Sequence, residues 1–165
     1  MALNSGFFNS LNGDRKYDAR DFGKLFEGII TDGVFTNVGK RFEVTAGGNN
    51  LVYVDTGRGW KTGIWFENDA KTAVTLPVPE VGMNRVDSVV VNIDMNARSS
   101  TFEVVKGTPK AGSWDVPYVG STSTVKRFRL ANIRRRPGSS VVTQDLITKT
   151  VGTSETPWIT FAGLR

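Results

Sequence analysis

The sequence predicts a mainly β protein: an antiparallel β-sandwich or open barrel with an N-terminal amphipathic helix and a short C-terminal helix. Apolar residues recur at helical spacing in one window near the N-terminus, within residues 18–32. Beyond it, short segments of alternating polarity follow one another over residues 40–136, with turn residues between them and no intervening helix. This succession favours antiparallel pairing, because parallel strands need long crossover connections.

A single β-rich domain over residues 1–165 is expected, because 165 residues, of which 39% are hydrophobic, suffice for one core. We divide it into an arm at 1–12, a helix at 18–32, antiparallel strands at 40–136, and a short helix with an extended tail at 143–165. No apolar run approaches the roughly 20 residues that span a bilayer, and the N-terminus lacks a signal-peptide pattern. We therefore expect no membrane insertion.

The helix is predicted to begin at Asp18, a residue type that caps helix N-termini, with Asp21 three positions later as in a capping box. Gly33 is expected to end it. Gly23 and Gly28 disfavour a helix by roughly 1 kcal/mol each relative to Ala, so close packing is expected to hold it. The helical spacing places one apolar stripe along it: Phe22, Leu25, Phe26, Ile29 and Ile30.

The first strands are predicted from alternation and from turn residues. Residues 41–45 (RFEVT) alternate in polarity, and residues 47–50 (GGNN) are typical of a turn. A strand starting at Leu51 is expected to end in a bulge or tight bend at Gly57 and Gly59. Two further short strands are predicted in the segments "GIWFEND" and "AVTLPV", the second at a sheet edge because of its prolines.

Two long strands dominate the rest of the chain. The strongest strand pattern covers residues 85–95 (RVDSVVVNIDM), and its predicted hairpin partner is "TFEVVKG". A late strand, "VKRFRLANI", places Phe128 and Leu130 on one face and two arginines on the other. Thr143 is expected to cap a short helix, "QDLITK", and the tail "SETPWITFAGL" is expected to be extended.

The residue types limit the available chemistry. The chain has neither cysteine nor histidine, which excludes disulfides, thiolate nucleophiles, Cys/His zinc sites and Ser-His-Asp triads. Asp14, Asp18 and Asp21 form a candidate carboxylate cluster, but basic residues lie between them and the helix start explains the last two. The glycine-rich segments "GGNN" and "TGRG" do not connect a strand to a helix, as phosphate-binding loops do. We therefore predict no enzyme activity, no catalytic residues, no metal site and no cofactor.

The net charge of +5 is concentrated in one segment, since residues 106–136 hold eight basic residues and one acid. The basic patch that this suggests consists of Lys126, Arg127, Arg129, Arg134, Arg135 and Arg136. The favoured interpretation is the solvent face of a strand, where basic residues also discourage unwanted pairing at a sheet edge. The alternatives are an interface to an acidic protein and, least favoured, a nucleic-acid-binding barrel that stacks bases on Trp114, Tyr118 and Phe128.

The four tryptophans allow two interpretations. Aromatic faces stack on sugar rings, so Trp60, Trp65, Trp114 and Trp158 suggest a carbohydrate-binding module. Four tryptophans in a small β-domain are more typical of a core or of subunit contacts.

The segment from Ser5 to Phe35, "SGFFNSLNGDRKYDARDFGKLFEGIITDGVF", resembles the start of a family of tail and baseplate structural proteins. These belong to siphophages and prophages of Gram-positive bacteria, and include upper-baseplate proteins and the N-terminal domains of receptor-binding proteins. Their "GDR-Y-A-DF---F-G-I--GVF" pattern matches it most closely. Residues 85–112 resemble the family's "R-D-VV", its hairpin and its "KGTP" turn. The segment "FRLANIRRRPGSSVVTQDLITKTVGTSETPW" resembles the family's closing segment.

The resemblance implies a non-enzymatic virion component of the tail or baseplate, made in the host cytoplasm. It implies a homo-oligomer, often a trimer, that binds other tail proteins and supports host attachment, with host cell-wall saccharide as a further possible ligand. The sequence departs from the commonest layout, because it reaches Arg165 without a host-binding module, coiled coil or collagen-like repeat. Saccharide binding by this chain therefore stays an open alternative.

Assembly needs apolar and aromatic surface on a rigid frame, with charged groups that set the register. On that basis we expect a partner interface formed by Phe7, Phe8, Asp14, Arg15, Tyr17, Asp18, Arg20 and Phe22. The alternative is that the phenylalanines complete the core of their own domain.

Overall fold

The computed structural model describes residues 5–163, so the first four residues of the predicted arm and the last two of the predicted tail lie outside it. The fold is mainly β and confirms the predicted class. Within the described residues, one short N-terminal helix precedes several antiparallel sheets, and the arrangement is open, without a closed barrel.

Helix α1 spans Ala19–Glu27 and begins where the sequence predicts. The Asp18 carboxylate accepts the backbone N–H of Arg20 at 2.9 Å, and Asp21 accepts the backbone N–H of Asp18 at 3.1 Å, which completes a capping box. The helix ends earlier than the predicted residue 32, with Gly28 as its C-terminal cap.

The C-terminal tail causes this early end, because it pairs with the chain beyond Gly28. Ile30 forms a β-bridge with Phe161, and the Thr31 N–H donates to the Thr160 carbonyl at 2.9 Å. The prediction that Gly33 ends the helix is wrong, because Gly33 begins strand β1 (Gly33–Val34). The backbone of residues 30–34 therefore pairs with a segment more than 120 residues away.

Four strands form the largest sheet: β8 (Arg85–Asp94), β9 (Ser99–Val105), β10 (Val125–Arg135) and β12 (Ile147–Lys149). Their order in the sheet is β12-β10-β8-β9. The predicted hairpin and the predicted late strand are confirmed. On β10, Phe128 and Leu130 are buried, as alternation predicts, and a bulge between Arg129 and Ala131 shifts the register against β8.

Three smaller sheets complete the fold. The sheet β2-β4-β7 joins Val44–Ala46, Leu51–Val54 and Thr72–Thr75, and β7 lies at its edge as the prolines predict. The sheet β1-β5-β6 adds Gly57–Lys61 and Ile64–Asn68 to β1, and β3 (Gly48–Asn49) pairs with β11 (Val141–Val142).

The predicted bend at Gly57 and Gly59 is wrong, because both residues belong to strand β5. Both glycines lie inside a regular strand that pairs with β1 and β6. A Cβ on Gly59 would lie 2.3 Å from the Phe66 ring, and one on Gly57 would lie 2.6 Å from the Phe42 backbone nitrogen. These glycines therefore serve close packing rather than a turn.

The core lies between the four-stranded sheet and the sheets beside it. Aromatic rings connect them: Phe66 lies 5.7 Å from Phe42 and 5.9 Å from Phe128, measured between ring centroids. Branched aliphatic side chains fill the rest of the cluster, among them Val52, Val54, Val89, Val91, Ile93, Leu130 and Ile133.

The predicted C-terminal helix is a single 3-10 turn, Gln144–Leu146. Thr143 does not cap it with its side chain, contrary to prediction; its hydroxyl donates to the Asp145 carboxylate instead. The Gln144 amide reaches β2, where it accepts the Ala46 N–H at 3.0 Å and donates to the Val44 carbonyl at 3.2 Å. The next residues pair with β10 as β12, so no longer helix forms.

Candidate assembly surface

The apolar stripe of α1 faces solvent. Phe22 is 53% exposed, Leu25 48%, Phe26 43% and Ile29 40%, and Gly23 is the helix's buried residue. The helix contacts the domain through Gly23, whose Cβ position lies 3.3 Å from the Gly63 Cα. An amphipathic helix normally buries its apolar face, so this one presents a surface for another molecule.

The N-terminal arm folds against the same side of the helix. The Tyr17 hydroxyl accepts the Phe8 N–H at 2.6 Å and donates to the Phe8 carbonyl at 3.1 Å. The Phe7 ring lies 5.2 Å from the Tyr17 ring and 5.3 Å from the Phe22 ring. Phe7 nevertheless stays half exposed. The arm therefore extends the exposed stripe instead of covering it.

Sheet β1-β5-β6 continues this surface. A pocket of about 420 Å³ lies between the helix and the sheet, lined by Phe26, Ile30, Phe35, Arg58, Trp60, Trp65 and Glu67. The Phe26 ring meets the buried Trp60 ring edge-on at 5.6 Å, whereas Trp65 on the neighbouring strand is 64% exposed. At the rim of the pocket, the Arg58 Nη2 group lies 3.0 Å from both oxygens of Glu67.

We call the resulting surface the N-terminal apolar face. It consists of Phe7, Phe22, Leu25, Phe26, Ile29, Trp65 and Phe161. The tail joins it because Phe161, 63% exposed, pairs with Ile30 directly after the helix.

The predicted interface residues divide into two groups. Phe7, Phe8 and Phe22 are exposed and belong to this region, whereas the charged residues make local contacts. Asp18 caps α1, and the Arg15 guanidinium lies 3.6 Å from Asp14. Tyr17 holds the arm in place, as described above. Arg20 is exposed on the helix.

The predicted interface omits Leu25, Phe26, Ile29 and Phe161, and Trp65 was considered only together with the other tryptophans. The stripe was visible as periodicity, but periodicity does not show whether an apolar face meets the chain's own core or another molecule. Trp65 and Phe161 join the face through long-range pairing, for which the local sequence carries no signal.

The predicted basic patch is not one continuous surface. Arg127 donates to Asn92 at 2.9 Å, and Arg129 pairs with Glu155 at 2.8 Å. Three further members of the patch also have neighbours: Lys126 donates to the Thr122 carbonyl at 2.7 Å, Arg134 lies over the Trp114 ring at 5.8 Å, and Arg136 lies 3.3 Å from Asp145. Each of these basic side chains therefore lies against another group of the chain.

The prediction that Arg135 belongs to the basic patch is wrong, because Arg135 is only 1% exposed. Its side chain donates to the Asn50 amide oxygen, while its Nη1 atom has no hydrogen-bond partner among the described residues. Arg85 occupies the facing position on β8. Burial lowers the pKa of Arg135, and the charge of Arg85 acts in the same direction.

The tryptophans do not form one platform. Trp60 is buried, Trp114 and Trp158 are partly buried, and Trp65 is exposed. Trp158 packs against the core, and the Lys149 ammonium lies 5.2 Å from the centre of its ring. Any sugar stacking would therefore fall on Trp65.

Across residues 5–163, no three acidic side chains lie close enough together to hold a metal ion. No helix in that range has the length and apolar character to cross a bilayer. The fold and surface thus define an open, mainly β protein with an exposed apolar face at its N-terminal end. Comparisons with protein-family models, with curated proteins and with solved structures found no match.

Proposed function

We propose that this protein is a non-enzymatic structural component of a phage tail or baseplate. It assembles with copies of itself and with other tail proteins and so supports host attachment. The N-terminal apolar face carries this proposal, because a surface of exposed aromatic and aliphatic side chains marks a protein that works in contact with another.

The resemblance of Ser5 to Phe35 to tail proteins supports the same assignment independently of the exposed surface. That segment contains both the arm and α1, which together supply Phe7, Phe22, Leu25, Phe26 and Ile29 of the face. The part of the sequence that most resembles tail proteins is therefore the part that presents the apolar surface.

Immunogold electron microscopy of phage particles tests the assignment. Particles would be induced from a lysogen that carries the gene, purified, and labelled with antibody raised against the protein. Gold is expected at the tail or its tip, with no label when the antibody is first absorbed with purified protein. Particles without label, and without peptides of this chain in mass spectrometry, would rule out a virion role.

Carbohydrate binding is a second candidate, favoured by the exposed Trp65 beside an apolar pocket. Trp65 offers a ring face, and the Arg58–Glu67 pair at the rim supplies charged groups that bind sugar hydroxyls. Glycan-array binding should then disappear in Trp65→Ala and persist in Trp114→Ala. Equal binding by both variants, or no binding by the unmodified protein, removes this candidate.

A further inference from the structure

We propose that the N-terminal apolar face binds the same face of a second copy of this chain. The inference rests on the proposed function and names the partner of its assembly surface. The occupant that we propose is a second copy of this chain rather than another tail protein.

The exposed area is the first argument for a second copy. At about 200 Å² for each large apolar side chain, the exposed fractions of the seven face residues amount to roughly 700 Å². A specific interface buries about 800 Å² on each partner. The largest apolar patch on a typical monomer is about 300–600 Å². The face therefore approaches, by itself, what a stable pair of equal partners requires.

Charge complementarity is the second argument. Residues 14–27, the charged segment that borders the face, hold four acidic and four basic side chains and are neutral overall. The acids are Asp14, Asp18, Asp21 and Glu27, and the bases are Arg15, Lys16, Arg20 and Lys24. The whole chain carries +5, so two copies repel each other over most other surfaces. A neutral segment of both signs lets identical faces approach and favours neither an acidic nor a basic partner.

The shape of the face also suits a pair. The pocket of about 420 Å³ between Phe26 and Trp65 forms a depression beside the projecting stripe of α1. A symmetric contact presents the same depression and the same stripe on both partners, so apolar side chains of each copy can enter the pocket of the other.

Disulfide cross-linking tests this contact, because the chain has no native cysteine. Leu25→Cys places a thiol in the middle of the face. Lys24→Cys is the matched control: it is exposed on the same helix but lies about 100° away around the axis. A disulfide needs Cα atoms about 4.4–6.8 Å apart, so efficient oxidation reports a close approach of the two helices.

We expect mild oxidation to convert most of the Leu25→Cys protein to a covalent dimer, at least tenfold faster than Lys24→Cys. Both variants should give the circular dichroism spectrum of the unmodified protein, which shows that the fold is kept. Equal rates, or no dimer from either, would overturn the inference. If gold labels the phage tail while neither variant cross-links, this inference fails and the proposed function stands. If Leu25→Cys cross-links but the particles carry no label, the contact between copies stands and the proposed function fails.

Discussion

At the scale of single residues, the fold depends on a buried ion pair on β8. Arg85 and Asp87 are fully buried, and two parallel bonds of 2.7 and 2.9 Å join them. Arg85 also donates to the carbonyls of Pro77 and Val78, and Asp87 accepts the Gly107 N–H at 3.2 Å. The pair thus ties the loop before β8 and the turn after β9 to the central strand.

Two buried arginines in facing positions give a matched comparison. Arg85→Met should lower the free energy of unfolding by roughly 3–5 kcal/mol, because it leaves the Asp87 charge buried without a partner. Arg135→Met should change it by less than about 1 kcal/mol, because among the described residues Arg135 bonds to the Asn50 amide and not to a carboxylate. Urea denaturation at pH 7 measures both. Equal losses would show that the ion pair has no special role.

Glu80 predicts a pH dependence. Its bond of 2.7 Å to Lys106 lowers its pKa below the ordinary 4.5, and Arg85 acts in the same direction. Because the pKa of Glu80 is lower in the folded than in the unfolded protein, ionised Glu80 stabilises the fold at pH values above the ordinary pKa. This stabilisation is lost as the pH falls through the folded pKa. Glu80→Gln should therefore melt at a lower temperature at pH 7, and the difference should shrink below pH 4.5. A difference in melting temperature between Glu80→Gln and the unmodified protein that stays constant from pH 7 to pH 3 would contradict this.

At the scale of elements, α1 packs closely against the domain where two glycines meet, beside the contact between Phe26 and Trp60. Gly23 lies against Gly63 in the turn between β5 and β6, and Gly63 has a φ of +83°. Phe22 is 53% exposed, Leu25 48% and Phe26 43%, so the helix buries only part of its apolar stripe. The position of the helix, and with it the face, therefore depends on the close approach at Gly23.

Gly23→Val should destabilise the protein by roughly 1–3 kcal/mol, because the added methyl groups meet the Gly63 backbone and displace the helix. Gly28→Ala is the control. A Cβ there would lie 3.6 Å from the nearest atom, at an ordinary backbone conformation with φ of −81°, so stability should be unchanged. Thermal unfolding followed by tryptophan fluorescence compares them, since Phe26 packs on Trp60. Similar losses in both would refute the packing argument.

Local patterns were sufficient to predict several elements. The alternation at 85–95 predicted β8, the prolines predicted the edge position of β7, and Asp18 predicted the start of α1. Each signal lies within a few residues of the element that it specifies, so tertiary contacts did not override it.

Long-range pairing explains what the sequence could not show. The end of α1 depends on the tail at Phe161, and the short C-terminal turn depends on the Gln144 contact with β2. The burial of Arg135 depends on its place opposite Arg85. The apolar stripe was visible, but its exposure depends on which elements the rest of the chain places beside it.

At the scale of the whole molecule, the fold distributes the basic charge. The segment with most of the arginines meets acids from other parts of the chain: Glu103, Asp145 and Glu155 pair with Arg127, Arg136 and Arg129. A depression of about 530 Å³ is lined by Arg127 and Arg129, and it also holds Glu155, so a carboxylate accompanies the two arginines there. The net charge of +5 makes copies repel each other over most of their surface.

This distribution predicts weak binding to single-stranded nucleic acid. Fluorescence anisotropy with a labelled oligonucleotide should give a Kd no tighter than about 10⁻⁴–10⁻⁶ M at physiological salt, the non-specific range. Lys126→Ala should leave it almost unchanged. Tight binding that weakens steeply with salt would revive the nucleic-acid interpretation.

The central claim is that the N-terminal apolar face is an assembly surface, and sedimentation velocity tests it most directly. The unmodified protein should sediment as a multiple of the chain mass at tens of micromolar. Leu25→Glu should sediment as a folded monomer, because a charge in the middle of the face cannot be buried without a partner. Val81→Glu, the same kind of change at an exposed residue outside the face, in the loop before β8, should stay assembled. A monomeric unmodified protein, or a Leu25→Glu variant that assembles as well as the unmodified protein, would contradict the claim.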